Sequence, residues 1–386
     1  MEPQPHPDMP SLGEIKSGRT VECRGVTATA GARTTQWRRP LPQWRLTFLP
    51  ILCCRSVQAV PSVDTRVADA EVRLFWSQGY LWIRSFASTK EVASLRSAMA
   101  DMLASWKPPD GDPPRAQAAT DAAVSSLRTA PTRHGLEPNH TFMIESATKA
   151  SFFLEPGAVD SAAGVALRPG IPRWRAVRKV GHGLHLRDGP FRSFVRSLKL
   201  ARLAMRLGWH RSRVAQTLYR LAPPLSPGVD RHQDSTFLYT EPPSCLGIWL
   251  ALEDTDGSNG CLRVRGGSHR EPIRERLVRR NSTQRAGGGG VRLVFERLSN
   301  ASTPPDAAFT PLETASGDLV VMHGALEHFS AAGVDPSRTR ESLQVHLVKA
   351  DARWLPDNWL QYPAGLSFLP LAHLPSSASS QSRMDL

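Results

Sequence analysis

The 386-residue sequence is short of several things, and each shortage narrows what the chain can be. It has no apolar run of the roughly 18 to 20 residues that a membrane-spanning helix needs; the nearest approach is LTFLPILCC at 46–54. A soluble protein is expected. Its five cysteines (Cys23, Cys53, Cys54, Cys245 and Cys261) are odd in number and have no Cys-x-x-Cys spacing. That argues against a zinc ribbon, a redox dithiol or a disulfide framework, and for a reducing compartment. Acidic residues are outnumbered 35 to 48 by Lys and Arg, which leaves a formal charge of +13. The excess invites an anionic partner, but it consists of scattered arginines with no block of five and no aromatic-interleaved basic motif, so nucleic acid is not expected. No repeat of fixed period is found. The chain ends in Arg-Met-Asp-Leu, not Ser-Lys-Leu, so no peroxisomal signal is read there. The cytoplasm is the expected location, with mitochondria the second choice because the first segment is Arg-rich.

What is present begins with a change of texture near residue 67. Residues 1–66 are rich in Arg, Pro, Thr and Ser with little periodicity, and read as a disordered or targeting extension. Residues 67–370 form one domain, with insertions near 107–135 and 279–290, and 371–386 is a flexible tail. Val72, Phe75 and Trp76 recur at helical spacing, and Ser88 with Glu91 forms a capping-box pattern ahead of a helix at about 89–106. TFMIESA and SFFLEPG read as two arms of a strand pair, and 190–215 as a basic amphipathic helix or two. Beyond Gln216, short strands follow one another between turns, at 216–221, 234–240, 246–253, 261–264, 291–295, 318–322 and 342–348. A β-sandwich or barrel is expected.

Inside that β region, His232 and Asp234 stand two residues apart in DRHQDSTFLYTEPP. On a strand such a pair shares one face, and a buried carboxylate needs a partner. A second histidine, His328 in HGALEHFS, arrives from far along the chain, and Arg340 follows it at strand spacing. Two imidazoles and one carboxylate make a facial set that holds iron(II) and leaves positions open for chemistry. A guanidinium nearby can grip a carboxylate bidentately, as the far end of 2-oxoglutarate would require. Arg338 rivals Arg340 for this role, since residues two apart on a strand share a face. His-x-Asp alone occurs by chance in many chains; the combination is far more specific.

HQDSTFLYTEP, LGIWLALEDTDGSNGCL, GGSH, HGALEHFS and RTRESLQVHL together resemble the phytanoyl-CoA dioxygenase family. Within it the likeness is to the branch called phytanoyl-CoA dioxygenase domain-containing proteins, and it covers roughly 67–370. The resemblance implies a mainly β fold, a double-stranded β-helix or jelly roll, with supporting N-terminal helices. It implies iron(II) on His232, Asp234 and His328, and 2-oxoglutarate bound by Arg340, with Lys179 as a second basic residue, Trp249 as an aromatic wall and Leu218 as a lining residue. The activity implied is hydroxylation of a small molecule, with 2-oxoglutarate converted to succinate and CO2, O2 as co-substrate and ascorbate as activator. An acyl-CoA or a fatty acid is among the candidate substrates. A missing proline before Gly-Ser-His, an altered approach to His232 and Arg231 directly before it depart from the family pattern and bear on substrate recognition.

Plainer readings stand beside these. Trp249 reads equally as core and Lys179 as a solvated strand-end charge. His323, five residues before His328, is the rival for the distal ligand and reads as a hydrogen-bonded structural residue; His182, His185, His269 and His346 have no partner at ligand spacing and read as structural or peripheral. The alternative for the whole chain is a non-catalytic jelly-roll scaffold with a vestigial metal site. Oligomeric state is not legible.

Overall fold

The computed structural model describes residues 68–107, 140–155, 158–160, 166–168, 170–282, 290–302 and 304–371. The expected extension at 1–66, the insertion after Lys107 and the tail after Leu371 lie outside the described residues, as do 283–289 of the expected loop.

Two antiparallel sheets face one another, the arrangement of a jelly roll. The larger runs in the order Tyr80–Ile83, Leu319–His323, Leu246–Ala251, Ser342–Lys349, Ser212–Arg220, Val177–His182, Ala150–Leu154, with Leu369–Pro370 added beside Ser212–Arg220. The smaller runs Thr310–Leu312, Leu262–Val264, His328–Ser330, Val229–His232. A separate hairpin pairs Glu275–Ser282 with Gly290–Arg297.

The period of two along each strand sorts side chains between the layers. In Ser342–Lys349, Leu343, Val345 and Leu347 join a core shared with the helices, while Gln344 and His346 point into a cavity between the sheets. The helical side of that core is built by Thr89–Ser105, Pro190–Val195 and Leu198–Arg206. Ser88 caps the first of these, accepting from the Glu91 backbone N–H at 3.3 Å, while the Glu91 carboxylate accepts from the Ser88 N–H at 2.8 Å. Leu95, Met99 and Leu103, four residues apart, then fall on its buried face. Burying each such side chain stabilises the fold by roughly 1.5–3 kcal/mol relative to exposing it. Between the sheets, Trp249, Ala251, Val320 and Met322 meet Leu262, Val264 and Leu312 in a second apolar layer. Trp249, Leu262 and Met322 of this layer also line the cavity between the sheets. Among the described residues no helix is long and apolar enough to cross a membrane.

Three expectations need correction. His140–Glu145 is a helix, not the first arm of a strand pair, and Ala150–Leu154 pairs with Val177–His182 instead. Consecutive apolar residues do not distinguish the two periods, and Met143 inserts into a side cluster from the helix. Strand 234–240 does not form: Asp234–Phe237 is a helical turn, and only Thr240–Glu241 is extended. Of the expected loop at 279–290, Arg279–Ser282 and Gly290 are paired strand residues of the hairpin.

Candidate metal centre and the adjoining pocket

His232 ends its strand and His328 begins the next, and the two are direct partners across the antiparallel ladder, with ring centroids 4.3 Å apart. Asp234 reaches the same point from the first residue of the helical turn. Gln233, buried between the two ligand candidates, fixes that bend. Its Nε2 donates to the Ala325 carbonyl at 2.9 Å, and its Oε1 accepts from the Arg274 N–H at 3.0 Å. The Ser235 N–H adds a 2.8 Å bond to the Gly324 carbonyl.

His232 Nε2 and His328 Nε2 each lie 3.6 Å from Asp234 Oδ1, and the three donor atoms fall within 4.8 Å of one another. Backbone carbonyls settle the tautomers, because they only accept. His232 Nδ1 therefore donates to Asp230 O at 2.7 Å and His328 Nδ1 to Leu326 O at 3.0 Å, which leaves both Nε2 lone pairs aimed inward. Burial, reinforced by His232, pushes the His328 pKa down to about 4, so its ring is neutral and able to ligate. Burial raises the Asp234 pKa, but the surrounding imidazoles, His346 foremost, outweigh it and hold the carboxyl well below the usual range.

The donor set suits a divalent ion. Asp234 Oδ2 is buried and makes no hydrogen bond. A Cβ at Gly247 would come within 2.2 Å of that oxygen, so the position keeps room for the carboxylate by carrying no side chain. Two neutral imidazoles and one carboxylate on converging elements are the ligands that hold iron(II) with positions to spare.

A cavity of about 150 Å³ adjoins the triad. Arg340, Lys179, Trp249 and Leu218 all line it, and each is buried. Arg340 Nη1 donates to Ser330 Oγ at 2.7 Å, whereas its Nε has no partner. Burial, with Arg220 and Arg178 close by, pushes the Arg340 pKa down to about 9. An entering carboxylate would relieve that like-charge crowding, so the residues fit the far end of 2-oxoglutarate. Lys179 Nζ lies 4.4 Å from the centre of the Phe153 ring. Arg338 is elsewhere: it pairs with Asp256 and donates to Ser258 Oγ at 2.7 Å on the outer loops.

Sequence reading passed over other lining residues. His346 and His182, read as structural or peripheral, both face the cavity, as do Gln216 and Arg220. A signal was available in the alternate positions Ser342, Gln344 and His346, a polar file inside an apolar strand that Arg340 precedes. His323 stands apart from the triad, accepting from the Ala325 N–H at 3.2 Å, and burial pushes its pKa down to about 4. His185 packs away from the cavity with its Nε2 3.0 Å from the Tyr362 hydroxyl.

The sequence profile of the phytanoyl-CoA dioxygenase family matches residues 75–339. A phytanoyl-CoA dioxygenase of Arabidopsis thaliana is 35% identical over 305 residues, covering 78% of this chain and 96% of the relative. The mouse phytanoyl-CoA dioxygenase domain-containing protein 1 is 30% identical over 308 residues, covering 79% and 98%. Among solved structures, a non-heme alpha ketoglutarate dependent carbocyclase from nogalamycin biosynthesis aligns with 80% of this chain and 94% of its own, at 18% identity and a TM-score of 0.48.

Proposed function

The chain belongs to the phytanoyl-CoA dioxygenase family and is a 2-oxoglutarate-dependent dioxygenase, and from that premise we propose that it hydroxylates a carbon of a small molecule, with an acyl-CoA or a fatty acid as the substrates to try first. The reaction balances as substrate C–H plus O2 plus 2-oxoglutarate giving C–OH, succinate and CO2. The observation that carries the reading is the convergence of His232, Asp234 and His328 on one point beside a pocket that ends at a buried arginine.

In this reading His232, Asp234 and His328 hold iron(II), which supplies the oxidising chemistry when bound with 2-oxoglutarate and O2. Arg340, steadied by Ser330, takes the far carboxylate of the co-substrate. Lys179 adds positive charge along the same wall, while Trp249 and Leu218 close the pocket and exclude water. Ascorbate serves as an activator by keeping the metal reduced. The cytoplasm remains the proposed location.

The test is succinate formation by anaerobically reconstituted iron(II) protein given 2-oxoglutarate, then O2 and ascorbate. Slow turnover without a prime substrate, abolished by His232→Ala, is expected, and adding a true substrate should raise it severalfold. Neither turnover nor 2-oxoglutarate binding by calorimetry would favour the scaffold reading instead.

A further inference from the structure

Asp234 Oδ1 faces three imidazoles, and two of them are ligand candidates. The third is His346, whose Nε2 lies 3.3 Å from that oxygen. His346 Nδ1 lies 3.2 Å from Gln216 Nε2. An amide nitrogen only donates, so Nδ1 accepts and the ring proton sits on Nε2, directed at the carboxylate. Reversing the Gln216 amide would move the proton to Nδ1 and set the Nε2 lone pair against a carboxylate oxygen, a repulsive pairing in a buried site. The observed orientation satisfies both ring nitrogens of His346 and leaves Gln216 Oε1 without a hydrogen bond.

Three neighbouring strands build this contact. His346 is the ladder partner of Gln216 on one side and of Gly247 on the other, and Gly247 is the residue whose missing side chain leaves space for Asp234. All three side chains, His346, Gln216 and Asp234, are buried. The grouping of donor atoms within 4.8 Å of one another comprises His232, Asp234 and His328, so His346 acts on the carboxylate and not as a fourth member of that set.

We propose that His346, oriented by Gln216, is the positioning residue for the Asp234 carboxylate, holding Oδ1 toward His232 and His328 and thereby setting the affinity for the metal. The proposal rests on the reading of those three residues as metal ligands. Asp234 sits on a short helical turn whose side chain could otherwise swing about its χ angles, and Oδ2 contributes no hydrogen bond to restrain it. The Nε2–H of His346 supplies the restraint. Partners of this kind change metal affinity by roughly 10- to 100-fold when removed.

The experiment is an anaerobic titration of the full-length protein with Co(II), without 2-oxoglutarate, reading both the dissociation constant and the visible absorption bands. His346→Ala should weaken binding by about 10- to 100-fold and shift the bands. His346→Gln, which keeps an N–H donor, should recover most of that loss, and Gln216→Leu should fall between. Thermal unfolding of the metal-free variants shows whether each folds; if His346→Ala does not, the His346→Gln and Gln216→Leu pair decides. Co(II) binding within twofold of wild type and unchanged bands in His346→Ala and Gln216→Leu, beside loss in His232→Ala, would overturn the positioning role alone. Equal weakening in His346→Gln and His346→Ala would overturn it too, by pointing to packing. A wild-type protein that binds no better than His232→Ala would overturn the metal-centre reading and the positioning role with it.

Discussion

Arginines gather on both sides of His328, and the two gatherings are built to opposite ends. On the side of Glu327, the buried carboxylate takes Arg265 at 2.8 Å and Arg274 at 3.1 Å, and Glu271 bridges the same two guanidiniums at 2.5 and 3.1 Å. The charges cancel within the chain. On the side of Ser330, Arg340 leans on a hydroxyl, and the charged groups that act on it most strongly are two further guanidiniums, Arg220 and Arg178. Three positions along one short stretch, from Glu327 to Ser330, thus separate a closed network from an open one. The closed network serves the fold, since Glu327 anchors the residue before a ligand candidate. In the proposed function, the far carboxylate of 2-oxoglutarate would complete the open one at Arg340.

The largest expected effect breaks the closed side. Glu327→Gln removes the charge shared by Arg265 and Arg274 while keeping the shape. Losing one partner of a buried ion pair costs about 3–5 kcal/mol, and because Glu271 remains, a loss near the low end, about 3 kcal/mol, is expected. Urea unfolding reads it as a lowered midpoint with an unchanged slope. A midpoint equal to wild type would remove the contrast between the two networks.

The next effect breaks the open side in the opposite sense. Arg340→Leu should leave folding intact or slightly improved, because it removes a charge that burial and its neighbours disfavour. It should weaken 2-oxoglutarate binding by roughly 100-fold or more, consistent with the about 2–5 kcal/mol lost when one member of a buried charge pair is truncated. Thermal shift with and without 2-oxoglutarate checks both halves at once. A destabilised apoprotein that still bound the co-substrate would reverse the assignment of the two clusters.

How far the sequence could be read follows the same division between local pattern and cross-strand placement. His232, Asp234, His328 and Arg340 were legible because each sits near a strand end at a spacing that chemistry can interpret. Their convergence is what the structure adds, through the direct pairing of His232 with His328. The helical turn under Asp234 was not legible. It depends on Gln233 reaching Ala325 and Arg274, residues distant in sequence. His346 was missed for a related reason: its partners, Asp234 and Gln216, lie on other elements, and no spacing along the chain relates them. The helix at His140–Glu145 was misread because three adjacent apolar residues fit either period, and only the packing of Met143 decides.

The smallest expected effect sharpens the comparison where the sequence left two arginines in contention. Arg338 and Arg340 are two residues apart, yet Arg340 is buried against Ser330 and Arg338 spans Asp256, Ser258 and the Asp254 carbonyl at the rim. Both members of the Arg338–Asp256 pair are about one-third or more exposed, at 33% and 40%, so solvent screens their attraction. Exposed pairs of this kind contribute about 0–1 kcal/mol. Arg338→Ala should therefore shift the unfolding midpoint only slightly and leave the 2-oxoglutarate dissociation constant within about twofold of wild type. A loss of co-substrate binding comparable to that of Arg340→Leu would mean that the loop held by Arg338, and not the buried guanidinium alone, shapes the anion site.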